Sequence, residues 1–271
     1  LAEHGVNRVS IGVQSFNPAT LAALDRLHTV EQIPRAVDAV RTAGQAVSFD
    51  MIFAAPGATL ESWATDIDAA LAFHPEHIST YGLTFEKGTP LWKERERGKV
   101  MPTPEDAELA MYEHAITRLT QTGFEHYEIS NFARPGHRCR HNERYWANEA
   151  YYGVGVGAAR YVDGCRELNV RDTKQYVKKM LAGESPTFQS ERLPPRERAF
   201  ETIAVQLRRT QGVDRASFAM QTGFELDDLA GAALRDIVNA GLLQDDGNTI
   251  RLTHRGNCVA DGIIESLMKR V

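Results

Sequence analysis

The sequence predicts an α/β fold, with parallel strands and helices in its first part and a mainly α, winged-helix-like domain at its C-terminal end. In the first part, short apolar segments alternate with amphipathic segments of helical length. Helical crossovers of this length return the chain to the same end of a sheet, so the strands are expected to be parallel. Three parallel strands are few for a complete sheet. We therefore expect the later half of a (β/α) barrel or of a doubly wound sheet.

Apolar runs place the elements of this first part. Strands are predicted at residues 8–14, 46–53 and 77–84. Helices are predicted after an Asn17 cap, over residues 30–43 and over residues 59–73. The polar side of the third helix is expected to carry Glu61, Asp66 and Asp68.

The rest of the chain is predicted to form two further segments. A polar connection near residue 100 precedes a helix over 105–122, and an irregular, aromatic-rich stretch follows over 123–164. The winged-helix-like module is expected to contain helices over 196–209, 214–221 and 227–240, a hairpin turning at Asp246 and a last helix capped by Thr253. The predicted domains are residues 1–100, 101–193 and 194–271.

The composition argues against several classes of protein. With 31 basic and 36 acidic residues the formal net charge is −5, so the chain has no overall basic field for nucleic acid. The predicted recognition helix over 227–240 holds three Asp against one Arg, which would repel phosphate. No apolar run approaches the length of a membrane span, and the three cysteines are widely spaced, which favours a cytoplasmic protein with reduced thiols.

Polar side chains stand at the predicted carboxyl ends of strands, where parallel α/β folds bind their ligands. Gln14 ends the first strand, and Asp50 lies within the apolar segment 47–53. A carboxylate in such a strand must be paired or must serve a ligand, because burying it alone is costly. The residues alone leave two interpretations open: a ligand site, or a buried Asp satisfied by the backbone or by a basic neighbour.

Several segments together resemble the later strands of a radical S-adenosylmethionine (SAM) barrel. They are R-V-S-I-G-V-Q-S-F at 8–16, L-D-R-L-H at 24–28, F-D-M-I at 49–52, P-G-A-T-L-E at 56–61 and Y-G-L-T-F-E-K-G-T-P-L at 81–91. More narrowly, the chain resembles the branch that contains oxygen-independent coproporphyrinogen dehydrogenase (HemN) and the haem chaperone HemW. The resemblance implies the later half of a partial (β/α)6 radical SAM barrel followed by a HemN-type C-terminal domain.

The resemblance assigns four residues to SAM binding. The SAM-contacting Gln of the family falls on Gln14, its Arg on Arg26, its strand Asp on Asp50, and the apolar residue two positions further on Ile52. A carboxamide and a carboxylate can hold hydroxyl groups, and a guanidinium can face the carboxylate of SAM. Ile52 would supply an apolar wall for the adenine.

One defining element of the family is absent from this sequence. The C-x-x-x-C-x-x-C loop, which binds three irons of the [4Fe-4S] cluster, occurs nowhere in the 271 residues. Residues 1–4 followed by Gly5 are typical of the end of a helix, so we expect the cluster ligands upstream of Leu1. The chain by itself is not expected to assemble the cluster or to cleave SAM reductively.

A second motif resembles the signature that separates HemW from HemN. It is H-N-E-R-Y-W at 141–146, followed by the glycine run Y-Y-G-V-G-V-G-A-A at 151–159. His141 could ligate haem iron through a neutral imidazole, while Tyr145 and Trp146 provide flat apolar surface for the porphyrin. Equally, His141 could hydrogen-bond a loop whose core is formed by the two aromatic residues.

Neighbouring residues admit other ligand sets. His137 and Cys139 are further candidate axial ligands for haem iron. Zinc binding by H-R-C-R-H at 137–141 lacks a fourth ligand at a standard spacing. The glycines at 153–157 fail the G-x-G-x-x-G spacing of a dinucleotide site, so a tight turn with close backbone approach is the better interpretation.

These resemblances imply a radical SAM haem chaperone that binds haem and delivers it to acceptor haem proteins, with SAM and a [4Fe-4S] cluster in the intact protein. Acceptors in the family include membrane-bound respiratory enzymes, so a cytoplasmic location with peripheral membrane association is expected, and a homodimer stays open. The alternative is an oxygen-independent coproporphyrinogen III dehydrogenase, which uses a SAM-derived radical in porphyrin biosynthesis. A DNA-binding regulator is the least favoured interpretation.

Overall fold

The computed structural model describes residues 2–268. Of the predicted helix end at residues 1–4, Leu1 lies outside the described residues, whereas Ala2–His4 form a 3-10 turn that is followed by Gly5 with a φ of 78°. The chain divides into two compact units, Leu1–Arg138 and Cys139–Val271. The α/β fold class is confirmed, with the predicted parallel strands in the first unit and a mainly helical C-terminal region in the second. The three-domain division with boundaries near residues 100 and 194 stays a prediction.

The first unit is built on one mixed sheet, in the order β1-β2-β3-β5-β4. Strands β1, β2 and β3 are parallel, and β5 and β4 continue the sheet as an antiparallel pair. Its strands are β1 Arg8–Gln14, β2 Ala46–Phe53, β3 His77–Gly82, β4 Glu125–Glu128 and β5 Asn131–Ala133. Its helices are α1 Pro18–Ala23, α2 Gln32–Thr42, α3 Leu60–Ala72, α4 Pro90–Glu96 and α5 Glu105–Gln121.

The core of this unit lies on one face of the parallel strands. Val47, Phe49 and Met51 alternate along β2 and are fully buried. Helices α3 and α5 pack on this face and contact each other, and the indole Nε1 of Trp63 on α3 donates to the carbonyl oxygen of Met111 on α5 at 2.8 Å. The opposite face of β1 and β2 is therefore the one that remains accessible to a ligand.

The second unit contains two antiparallel three-stranded sheets, β6-β7-β8 and β10-β11-β9. Its strands are β6 Ala159–Val162, β7 Cys165–Asn169, β8 Thr187–Arg192, β9 Val213–Asp214, β10 Leu243–Asp245 and β11 Thr249–Leu252. Its helices are α6 Arg140–Trp146, α7 Thr173–Leu181, α8 Pro195–Gln206, α9 Arg215–Thr222, α10 Leu226–Asn239, α11 His254–Cys258 and α12 Ala260–Met268. The predicted hairpin at Asp246 and the Thr253 cap, which accepts the Gly256 N–H at 3.0 Å, are confirmed.

Three local predictions were wrong. The stretch 123–164 is not irregular but contains β4, β5, α6 and β6. The connection near residue 100 contains α4, because the Thr89 side chain caps the N–H of Trp92 and Pro90 occupies the first turn. Asp66, expected on the polar side of its helix, is only 4% exposed.

No helix among residues 2–268 has the length and apolar character required to cross a bilayer.

Candidate functional site

Asp50 lies on the accessible face of the sheet, where it is held by a neighbouring strand. The hydroxyl of Ser10 on β1 donates to both carboxylate oxygens, at 3.0 and 2.9 Å. Burial raises the pKa of Asp50, and hydrogen bonds from Ser10 and Ser79 together with the charge of Arg8 oppose that rise. A carboxylate has about four acceptor positions, so these contacts leave capacity for a ligand.

Gln14 reaches the same face from the end of β1. Its backbone φ is 66°, and it pairs with Met51 across a bulge in the β1–β2 ladder. The side-chain Nε2 lies 2.8 Å from the position that a β-carbon on Gly12 would take. Because Gly12 follows Ser10 by two residues along the strand, the amide of Gln14 lies on the face that carries Asp50.

Ile52 and Arg26 take different positions relative to this face. Ile52 follows Asp50 by two residues on β2, so the two half-buried side chains share a face. Arg26 is exposed in the loop after α1. That loop is tied to β1 because the Nε2 of His28 donates to the carbonyl oxygen of Val13 at 3.0 Å. The structure thus brings Gln14, Asp50 and Ile52 together and attaches the Arg26 loop to the residue before Gln14.

Asp66, whose sequence pattern predicts only a polar helix position, lies beneath the turn after Gln14. The backbone N–H of Phe16 donates to its Oδ1 at 2.8 Å, and the hydroxyl of Ser15 donates to its Oδ2. Burial raises the pKa of Asp66, against the effect of these two hydrogen bonds. Asp66 and its two partners are about 50 positions apart in the sequence, and no local sequence pattern predicts such a contact. The helical periodicity alone therefore predicts a solvent-exposed side chain.

A polar group on β3 and β5, which the sequence pattern does not predict, lies next to Asp50. The hydroxyl of Ser79 donates to Oδ1 of Asn131 at 2.6 Å. Burial raises the pKa of Tyr81, and the charges of Asp50 and Glu128 raise it further. Tyr81 therefore lies within electrostatic reach of Asp50 and extends the polar face to a third strand.

In the second unit, part of the H-N-E-R-Y-W motif forms a row of aromatic rings. The His141 and Tyr145 rings, one turn apart on α6, have centroids 4.6 Å apart. The Tyr145 and Tyr151 rings follow at 4.1 Å. His141 is exposed at the end of this row. Burial raises the pKa of Tyr145, and Tyr151 raises it further.

Trp146 contacts a different side chain, and the remaining candidate iron ligands are Cys139 and His137. The guanidinium of Arg208 covers the Trp146 ring at 5.1 Å, and the indole Nε1 is buried without a hydrogen-bond partner among the described residues. Cys139 is buried at the N-cap of α6, and His137 is exposed in the first unit. Of the candidate axial ligands in the second unit, His141 is thus the exposed one.

The glycine run after the motif forms the close turn that its sequence predicts. A β-carbon on Gly153 would stand 2.0 Å from the carbonyl oxygen of Ala159. Next to it, Tyr151 and Tyr161 exchange backbone hydrogen bonds of 2.8 and 2.9 Å. The close approach therefore holds the Tyr151 ring beside Tyr145.

Each of the two units matches a different family model. The sequence profile of the radical SAM superfamily matches residues 1–70, and that of the HemN C-terminal domain matches residues 193–258. A protein named "Heme chaperone HemW" from Bacillus subtilis is 33% identical over 269 residues, covering 99% of this chain and 71% of that protein. Its namesake from Synechocystis is 39% identical over 77% of this chain and 52% of its own length. The chain belongs to the HemW family.

The HemW assignment agrees with the fold. The structure of coproporphyrinogen III oxidase (HemN) from Escherichia coli matches the whole chain, and 66% of its own length, with a TM-score of 0.80. Its sequence identity of 20% establishes the shared fold alone. A mitochondrial relative from Danio rerio, the radical S-adenosyl methionine domain-containing protein 1, is 30% identical over 97% of this chain and 62% of its own.

The radical SAM superfamily implies two cofactors, and the chain's residues fit one of them. The amide of Gln14 forms no hydrogen bond with a described residue, and Asp50 has acceptor capacity left, as hydroxyl groups of SAM require. The [4Fe-4S] cluster does not fit this sequence. Its three cysteines, Cys139, Cys165 and Cys258, all lie in the second unit and form no C-x-x-x-C-x-x-C loop.

Proposed function

We propose that this HemW-family chain binds haem at the His141–Tyr145–Tyr151 row and passes it to acceptor haem proteins in the cytoplasm, including membrane-bound ones. The observation that carries the proposal is the exposed imidazole of His141 packed against Tyr145 at 4.6 Å. Such an arrangement offers an axial nitrogen next to a flat ring surface. SAM is proposed to bind at the sheet face of the first unit, in an intact protein that also holds the [4Fe-4S] cluster.

The row favours the imidazole over the phenol as the iron ligand. Haem iron accepts a neutral imidazole nitrogen or a tyrosine oxygen. Because the pKa of Tyr145 is raised above its ordinary value, this side chain stays a neutral phenol near pH 7. Tyr145 therefore serves as ring surface for the porphyrin, next to the ring of Tyr151, and His141 serves as the ligand. An exposed ligand also suits a chaperone, which must release its cargo.

The sheet face of the first unit supplies complementary groups for SAM. The carboxylate of Asp50 accepts hydrogen bonds from hydroxyl groups, and the amide of Gln14 can both donate and accept. Ile52, on the same face as Asp50, provides apolar contact for the adenine. SAM bound to a reduced cluster supplies radical chemistry in this superfamily, whereas the residues of this chain bind and orient the nucleotide.

Haem titration tests the assignment of His141. The chain is titrated with haemin while the Soret band is recorded. The variant His141→Ala should shift this band. It should also weaken haem binding by about tenfold, which corresponds to a loss of about 1.4 kcal/mol of binding free energy. His137→Ala and Cys139→Ser test the other candidate ligands and should leave the band unchanged. His4→Ala is the control for the loss of an exposed histidine. Absence of saturable binding by the wild-type chain would remove the haem proposal.

Two further assays separate the chaperone from the enzyme alternative. Haem-loaded protein mixed with an apo haem protein should transfer its haem, which is seen as conversion of one Soret spectrum into the other. The intact protein, reconstituted with its cluster, should leave coproporphyrinogen unchanged in the presence of SAM. Formation of protoporphyrinogen would instead establish coproporphyrinogen III dehydrogenase activity.

A further inference from the structure

We propose that Asp66 is a positioning residue that sets SAM affinity by holding Gln14 in its strained backbone conformation. The inference rests on the proposed SAM site and assigns the control of that site to a residue on a helix behind the sheet. Asp66 itself is buried and does not lie on the accessible face. Its effect is therefore exerted through the turn that links β1 to α1.

Gln14 is the central residue of a very tight turn. The N–H of Ser15 donates to the carbonyl oxygen of Val13 at 2.8 Å, which closes a three-residue ring around Gln14 with its φ of 66°. A γ-turn with positive φ is rare and strained, especially for a residue with a side chain. Strained conformations persist where surrounding contacts over-determine them. The contacts that do so here must act on the residues beside Gln14.

Asp66 provides the contacts on the residues that follow Gln14. Its two oxygens accept the Ser15 hydroxyl and the Phe16 N–H, so both residues that follow Gln14 are fixed to α3. The Ser15 Oγ also accepts the N–H of Asn17 at 3.0 Å, which extends the network to the cap of α1. A single buried carboxylate thus connects the end of β1 to the start of the next helix.

The orientation of the Gln14 amide depends on this turn. No described residue hydrogen-bonds the amide, so its place above Gly12 follows from the direction of the Gln14 side chain. If the turn relaxes to a negative φ, that direction changes and the amide leaves the Asp50 face. The loss of Asp66 should therefore weaken SAM binding even in protein that is fully folded.

The test compares SAM affinity among variants by isothermal titration of the intact protein, reconstituted with its [4Fe-4S] cluster. Asp66→Ala should weaken SAM binding by about tenfold, as expected for one lost ligand contact. Asp66→Asn should restore most of the affinity, because its Oδ1 still accepts the Phe16 N–H and its amide can donate to Ser15 Oγ. Ser15→Ala removes one of the two hydrogen bonds and should give an intermediate loss.

Two controls separate positioning from general stability. Asp68→Ala removes the same charge from α3, where Asp68 pairs with Arg118 at 2.7 Å, and should leave affinity unchanged. Ile67→Val perturbs the fully buried core of α3 and should lower the melting temperature while the affinity of the folded protein is retained.

The outcomes are distinct. If the wild-type protein with its cluster shows no saturable SAM binding, the proposed SAM site itself is wrong, and the proposed role of Asp66 is wrong with it. If the wild-type chain binds SAM and folded Asp66→Ala or Ser15→Ala binds it equally well, only the positioning role is overturned. If Asp66→Ala does not fold, the comparison of Ser15→Ala with Asp68→Ala decides.

Discussion

The side-chain amide of Gln14 occupies the space above Gly12, with Nε2 2.8 Å from the position of a β-carbon on that glycine. A β-carbon does not approach another heavy atom that closely, so the amide lies there only because residue 12 has no side chain. The glycine of the I-G-V-Q segment is thereby linked to the proposed binding role of the glutamine two positions later. The relationship makes the two residues energetically dependent on each other.

We expect Gly12→Ala to displace the Gln14 amide and weaken SAM binding without a large loss of stability. The atom in conflict is the end of a flexible side chain, so the side chain can rotate away while the strand remains in place. An affinity loss of about tenfold, similar to that of Gln14→Ala, would correspond to one lost contact. Isothermal titration and thermal unfolding measure the two effects.

A double-mutant cycle tests this dependence directly. In the Gln14→Ala background the added methyl group has no amide to displace, so Gly12→Ala should have almost no further effect on SAM affinity. Fully additive losses would show that Gly12 acts on the site independently of Gln14.

Asp50→Asn should weaken SAM binding and stabilise the protein near pH 7. The pKa of Asp50 is raised by burial, so in the folded state the carboxyl binds its proton more tightly than in the unfolded chain. Ionisation therefore removes stability as the pH rises from the unfolded value near 3.8 through the raised folded value. Asparagine does not ionise and avoids this loss.

Urea denaturation at pH 3 and at pH 7 measures the effect on stability. The difference in unfolding free energy between Asp50→Asn and wild type should be more favourable at pH 7 than at pH 3. Asp68→Asn serves as the control, because Asp68 is an exposed partner of Arg118. An equal gain at both pH values would show that burial of the Asp50 charge is not the cause.

The sequence predicts the parallel strands well because their signal is local. β1 and β2 have the predicted bounds, Arg8–Gln14 and Ala46–Phe53, since each is an apolar run bordered by polar residues or glycine. The same pattern identifies Gln14 and Asp50 as polar groups at strand positions. Which face they share, and whether they meet, depends on the β1–β2 register and its bulge.

The missed features depend on contacts between distant residues. Asp66 has the periodicity of a solvent-facing helix position, and its partners Ser15 and Phe16 precede it by about 50 residues. β4 and β5 are short and contain Glu128 and Asn131, whose burial is possible because these side chains hydrogen-bond each other. Patterns of hydrophobicity carry no information about such pairings.

The protein should lose stability in acid through His77. This imidazole is 2% exposed and lies between the hydroxyls of Ser48, at 2.9 Å, and Tyr127, at 2.8 Å. Burial, with a smaller effect of the Arg8 charge, lowers the pKa of His77 to about 3. Between the ordinary value of 6.5 and pH 3 the unfolded chain binds the proton and the folded one does not, so stability falls as the pH falls through this range.

The variant His77→Gln should reduce this acid sensitivity. At pH 7 it should be less stable than wild type by about 1–3 kcal/mol, because a buried hydrogen bond is lost. The difference should shrink when urea denaturation is repeated at pH 4.5, since glutamine does not titrate. A constant difference at both pH values would contradict the assignment of the acid effect to His77. His4→Gln, in an exposed position, should follow wild type at both.

Two separate glycine substitutions in the second unit should distinguish disruption of the aromatic row from a general loss of stability. Gly153→Ala places a methyl group 2.0 Å from the Ala159 carbonyl oxygen, so the backbone must move away from β6 and take Tyr151 from Tyr145. Overpacking of this kind costs about 1–3 kcal/mol. Haem affinity should fall with it, because the ring surface beside His141 is lost.

Gly262→Ala is the matched control for this substitution. Gly262 lies exposed on α12, and a β-carbon there meets no atom within 4 Å. Alanine should therefore stabilise the helix by up to about 1 kcal/mol and leave haem binding unchanged. Urea denaturation and Soret titration of both variants give the comparison. If Gly153→Ala is destabilised but binds haem as tightly as wild type, Tyr151 is not part of the haem-binding surface. The proposed haem site then consists of His141 and Tyr145 alone.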